Sequence, residues 1–370
     1  MASWNDPVSG DWSVATNWTT GAVPLPGDGA IISVLGGPYT VTVSSADFAN
    51  SLAVNADQAT LQENSGSLTI AGGLHIISGL VSLNKANTIG SVSLSGGTLA
   101  VGNGGALGTG TVTQTGGELL GTANETLTNA LTLSGTSTIA AAHATMLTEK
   151  MSSYNIAANS TLIFGAPGQD GTVVWDGTDG DVTEPLAIQV RAGTLKGGNA
   201  AFGAFLEGSS IGIATGATLD LTGTGSTFAS LFGGGSIIDS GAAATLTLEA
   251  GDFSGSISGP LSLEASGTVA LNGTNTYTGT TTIDAGATLE LGLGGTTGSI
   301  GGGAIVVNDT LFIFRSNAIT LTNAISGAGD LRQVGSGVTS INTANTYTGG
   351  TIISSARSPS AMQARWEPAQ

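Results

Sequence analysis

Two histidines, His75 and His143, are the whole imidazole supply of this 370-residue chain, and it has no cysteine. Thiol nucleophiles, disulfide frameworks and thiolate metal sites are therefore excluded. Acid–base catalysis by histidine needs a second reactive group held beside the ring. His75 instead lies in the alternating run Leu74-His-Ile-Ile77, where an outward-pointing ring on a strand is the plainer reading. Gly208-Ser-Ser-Ile-Gly212 fits the G-x-S-x-G spacing of a nucleophile elbow, but no strand-to-helix pattern surrounds it. In a chain with 60 glycines such a match is expected by chance. No phosphate-binding glycine loop occurs, and no cofactor is expected.

Acid is concentrated in one place, at Asp170, Asp176, Asp179, Asp181 and Glu184. Asp176-Gly-Thr-Asp-Gly-Asp181 offers hard carboxylate oxygens on a glycine-flexed loop, which is the chemistry of a weak calcium site. Asp176, Asp179 and Asp181 are accordingly the candidate metal ligands. Asp and Gly also build ordinary turns, so a solvated corner loop is the competing reading. Trp4, Trp12 and Trp18 are three of the five tryptophans and fall within 18 residues. They are the candidate binding residues, either as a platform on which sugar rings stack or as a cap over an open strand end.

The elements that must carry these residues are strands. Tyr39-Thr-Val-Thr-Val43, Thr98-Leu-Ala-Val101, Ala217-Thr-Leu-Asp-Leu221, Ala244-Thr-Leu-Thr-Leu248 and Ala287-Thr-Leu-Glu-Leu291 alternate apolar with small or polar residues, and Gly, Asn or Ser-Gly clusters separate such runs. Only Ala140 to Met151 has the texture of a helical turn or two. The runs also repeat. Asn275-Thr-Tyr-Thr-Gly279 returns as Asn345-Thr-Tyr-Thr-Gly349, and Gly216-Ala-Thr-Leu-Asp-Leu221 returns as Gly286-Ala-Thr-Leu-Glu-Leu291, both at an offset of 70. That spacing predicts about three turns of a coil with roughly 20–25 residues per turn, and about 16 turns in all. A barrel closes at a fixed strand number, whereas this uniform texture suits an open-ended all-β solenoid. The expected organisation is a capping segment at 1–35, solenoid repeats over 36–353 and an irregular, truncated tail at 354–370.

Charge narrows the partners. Only 9% of residues are charged, the net charge is −17, and no Lys or Arg precedes Lys85. Nucleic acid and anionic membrane surfaces both need clustered positive charge, so neither is an expected partner. The N-terminus lacks the basic start and apolar core of a signal peptide, and no transmembrane segment is expected.

Asn275-Thr-Tyr-Thr-Gly-Thr-Thr-Thr-Ile-Asp-Ala-Gly-Ala-Thr-Leu-Glu-Leu-Gly292 resembles the autotransporter-associated β-strand repeat, with Asn345-Thr-Tyr-Thr-Gly-Gly-Thr-Ile352 a shorter match. Gly97–Gly110 and Leu131–Thr136 are also similar to passenger-domain sequence. The resemblance implies a right-handed parallel β-helix on or released from a Gram-negative cell surface, associated with the outer membrane. It implies adhesin-like binding of an extracellular glycan or a host or cell-surface protein, without catalysis. The family's C-terminal membrane barrel has no counterpart in the texture after Ile353. Because β-helix polysaccharide lyases combine acidic calcium ligands with a basic residue, and Arg191 lies near the acidic loop, a lyase or hydrolase is the alternative expectation.

Overall fold

Alternation alone turns about half of this chain into strands, most of them short. Tyr39–Val43 buries Tyr39, Val41 and Val43 and turns Thr40 and Thr42 to the other side. No such strand is stable in isolation; most are held by parallel partners in the turns before and after. The computed structural model describes residues 1–178, 180–183 and 185–354. They fall into two compact units, Met1–Phe205 and Leu206–Gln370, the second described as far as Ser354. Both units are parallel β-helices, the expected all-β solenoid.

In the first unit the register links Leu52, Leu74, Val92, Val112, Leu131 and Tyr154 into one inward column. A second column runs Val41, Leu61, Val81, Leu99, Leu119, Ile139 and Phe164. A third face carries Glu125–Leu127, Met146–Glu149, Thr172–Trp175 and Thr194–Gly197. Like stacks on like, so the core is a continuous apolar thread rather than a single cluster. The N-terminal segment joins this system. Ala2–Ser3 pairs with Gly29–Ile32, which pairs in turn with the strand Ser51–Glu63.

The second unit repeats the scheme. Leu246, Leu263, Thr281, Ile305 and Ile325 form one column, and Val269, Leu289, Leu311, Leu331 and Thr351 another. These two columns give the phase of the repeat. Thr281, two residues after the first Asn-Thr-Tyr-Thr-Gly copy, pairs with Leu263 of the first column, whereas Thr351, its counterpart after the second copy, pairs with Leu331 of the second. For this motif the offset of 70 therefore spans three turns and one further face, not a whole number of turns.

The motif's Asn nevertheless accepts a backbone N–H of the preceding turn at both places. Asn275 accepts from the Ile257 backbone N–H at 2.9 Å and donates to the Ser299 carbonyl at 2.8 Å, stitching its turn to both neighbours. Asn345 accepts from the Ile325 N–H at 2.8 Å. Tyr277 is buried with its hydroxyl 2.7 Å from that of Thr281, and burial pushes its phenol up to about 12. Asn275→Ala would leave the buried Ile257 N–H without an acceptor, so a loss of about 1–3 kcal/mol is expected in urea unfolding. An unchanged midpoint would remove the stitch from the account.

Corners are tight where turns stack directly. A Cβ on Gly255 would stand 1.9 Å from the Gly235 carbonyl oxygen, and one on Gly273 1.7 Å from that of Gly255, so the three glycines form a column that admits no side chain. The single described α-helix, Phe202–Leu206, is not where the sequence suggested. Ala140 to Met151 instead contains the strand Met146–Glu149 and the end of the strand Thr136–Ala141, because each finds parallel partners in adjacent turns. Phe205 stacks on Trp175 with centroids 4.2 Å apart and planes 17° from parallel.

Candidate functional site

The three N-terminal indoles are interior residues. Trp4, Trp12 and Trp18 are 2%, 0% and 1% exposed. Trp18 meets Trp4 and Trp12 edge-to-face at 5.2 and 4.7 Å, and its Nε1–H donates to the Trp12 carbonyl at 2.8 Å. A sugar needs an open ring face, and this cluster offers none. The assignment of these residues to ligand binding is therefore corrected: they pack the first turn of the first unit.

The acidic segment is divided by the fold. Asp176 follows the third-face strand Thr172–Trp175, and its carboxylate accepts from the Asn199 side chain at 2.8 Å. Asp181 is exposed on the strand Gly180–Val182, in register with Asn155. Asp179 and Glu184 lie outside the described residues. Among those described, no three His, Asp or Glu side chains come together as they would around a metal ion. The local glycines have a packing reason. A Cβ on Gly177 would stand 2.8 Å from the Tyr154 ring, and one on Gly180 only 1.9 Å from it. Asp170 instead pairs with His143 at 2.7 Å on the surface, and that hydrogen bond holds its carboxyl below the usual range.

The remaining sequence candidates also resolve into strand positions. His75 is exposed in an outward column between Ala53 and Ser93. Ser210 of the G-x-S-x-G match sits within the strand Ser209–Ile213, its hydroxyl 2.5 Å from that of Ser230, so the strand-to-helix turn of an elbow is not formed.

What the outer surface offers instead is regularity. Ser93, Thr113, Thr132 and Asn155 succeed one another turn by turn on one face of the first unit. Thr227, Thr247, Glu264 and Thr282 do the same on the second. Beside the first unit's early turns is an open depression of about 410 Å³ lined by Ser45, Ala46, Ser65, Gly66, Ser67 and Lys85.

Sequence reasoning missed the buried acids. Glu63 is 1% exposed, with one oxygen accepting from the Asn84 and Lys85 backbone N–H groups at 2.6 and 2.7 Å. Burial raises its carboxyl despite those bonds. Glu125 and Glu149 are 9% and 2% exposed on the third face of the first unit. Burial pushes Glu125 up to about 7, offset only in part by the Thr122 backbone. Burial, and then the charge of Glu125, push Glu149 up to about 8. The signal was parity: in Leu61-Gln-Glu63, Glu125-Thr-Leu127 and Leu147-Thr-Glu149 the acid shares the face of a core leucine.

Comparisons with protein-family models, with curated proteins and with solved structures each give no match.

Proposed function

We propose that this chain is a non-catalytic binding and stalk segment of the autotransporter-passenger kind, displayed at or released from a bacterial outer surface. Its ligand class is an extracellular glycan or a cell-surface protein. The observation that carries this reading is the outward column of short polar side chains, Ser93, Thr113, Thr132 and Asn155, repeated at the spacing of the turns. Stacked strands lie about 4.8 Å apart, so hydroxyls and amides recur at fixed intervals on a backbone that loses little entropy when a ligand docks. Each contact is weak, and many in a row raise the effective concentration of the next. The family resemblance supports the reading through the residues quoted for it, chiefly Asn275–Gly292.

The test displays the chain on beads at graded density against panels of glycans and matrix proteins. Capture is expected to rise steeply with density. It should fall several-fold in the triple variant Ser93→Ala, Thr113→Ala, Thr132→Ala and little in any single one. Soluble chain that cleaves a polysaccharide and releases unsaturated sugars would overturn this reading in favour of a β-helix lyase.

A further inference from the structure

Glu125 and Glu149 face into the third side of the first unit in consecutive turns. Register sets Glu125 beside Leu147 and Leu127 beside Glu149, so the two acids are diagonal neighbours on one inward surface. Trp175 follows Glu149 in the next turn of the same column. Both Glu125 carboxylate oxygens and one of Glu149 are buried without a hydrogen-bond partner. A Cβ on Gly121 would lie 3.3 Å from the Glu125 carboxylate and 2.8 Å from the Leu147 Cβ, which shows how closely the enclave is walled.

No cation answers these acids from the strands packed on them. Thr136–Ala141 and Thr172–Trp175 carry no titratable group, and Glu125–Leu127 carries only Glu125. Lys150, next to Glu149, is exposed on the other side of the chain. An ionised carboxylate so placed is largely shut off from water, has little beyond the Thr122 backbone as donor at Glu125, meets no counter-charge on these strands, and two such charges repel as well. A proton on each resolves the conflict, because a neutral carboxyl packs against leucine and indole at far smaller cost.

We propose that Glu125 and Glu149 form a proton-held clasp in the third face of the first unit, which closes the turns between Glu125 and Trp175 while both acids are protonated and loosens them as the medium turns alkaline. The direction follows from linkage. The glutamates release their protons near 4.5 when free of the fold, but near 7 and 8 within it. The stability they contribute is therefore full below about pH 4.5, declines as pH rises, and is lost once pH passes about 8.

Thermal unfolding of the full chain between about pH 5 and about pH 9, followed by circular dichroism and tryptophan fluorescence, tests the proposal. The first unit's midpoint is expected to fall by on the order of 10 °C across that range. Net charge of −17 also disfavours the fold at high pH, so the diagnostic is the difference from Glu125→Gln, Glu149→Gln, whose two new side chains are neutral at every pH and which should lose most of the decline. A second readout needs no variant to fold. The infrared C=O stretch of protonated carboxyls should persist in the unmodified chain at neutral pH, where exposed carboxylates are ionised. Absence of that band, or a double variant with the parent's pH slope, overturns the clasp.

Discussion

Trp18→Ala is expected to cost about 3–5 kcal/mol, the range for truncating a fully packed large aromatic side chain. The substitution removes two edge-to-face contacts, with Trp4 and Trp12, and the hydrogen bond to the Trp12 carbonyl. It also opens a void that the turn above cannot fill, because Ala2–Ser3 and Gly29–Ile32 are fixed in register with each other. Since each turn of a solenoid meets only its neighbours, the damage should concentrate in the first turns. Hydrogen exchange on residues 2–12 and 29–43 should accelerate while the strands beyond Thr98 keep their protection. A sugar platform would behave in the opposite way, losing ligand capture with no change in the unfolding midpoint.

Gly273→Ala should be as severe for a different reason. Its new methyl would meet the Gly255 carbonyl oxygen at 1.7 Å, and the obstructing atom is backbone rather than the tip of a flexible side chain. Overpacking of this kind costs about 3 kcal/mol or more when the backbone has no room to yield. Gly286 supplies the internal control. It has φ of +86°, yet no atom lies within 4 Å of the position a Cβ would take. Gly286→Ala should therefore cost only the left-handed backbone penalty, about 1–2 kcal/mol. Steric overlap and not dihedral preference decides which glycines are obligatory, and urea unfolding of the two variants side by side measures the difference. Equal losses would show that conformation, rather than turn stacking, governs these positions.

The strands were legible because parity and packing agree. In Tyr39-Thr-Val-Thr-Val43 every second residue is apolar, and those are the residues that the parallel neighbours bury. Parity also reached Glu63, Glu125 and Glu149, but the usual preference of Glu for water argued the other way, and only the register shows parity winning. The three indoles were legible as a group but not in their role, since clustering in sequence says nothing about which ring faces remain open. The acidic loop was ambiguous in the sequence because Asp and Gly have the same signature in a turn as in a cation site, whereas Gly177 and Gly180 answer to Tyr154. The phase of the repeat depends on which strands pair across turns. Turn lengths vary, with 17 residues between Leu246 and Leu263 but 26 between Phe164 and Val190, so a spacing counted along the chain does not reveal it.

That phase bears on how such a chain can change over generations. A segment copied at the offset of the two Asn-Thr-Tyr-Thr-Gly motifs does not land above its parent but is rotated one side around the axis. The inward residues tolerate this because every side asks for the same apolar filler. The outward residues do not stack into a longer stripe of one pattern; they reappear on a different flank. Growth by duplication at that offset would distribute a copied surface around the coil, and each flank would be left to diverge beside neighbours of different descent.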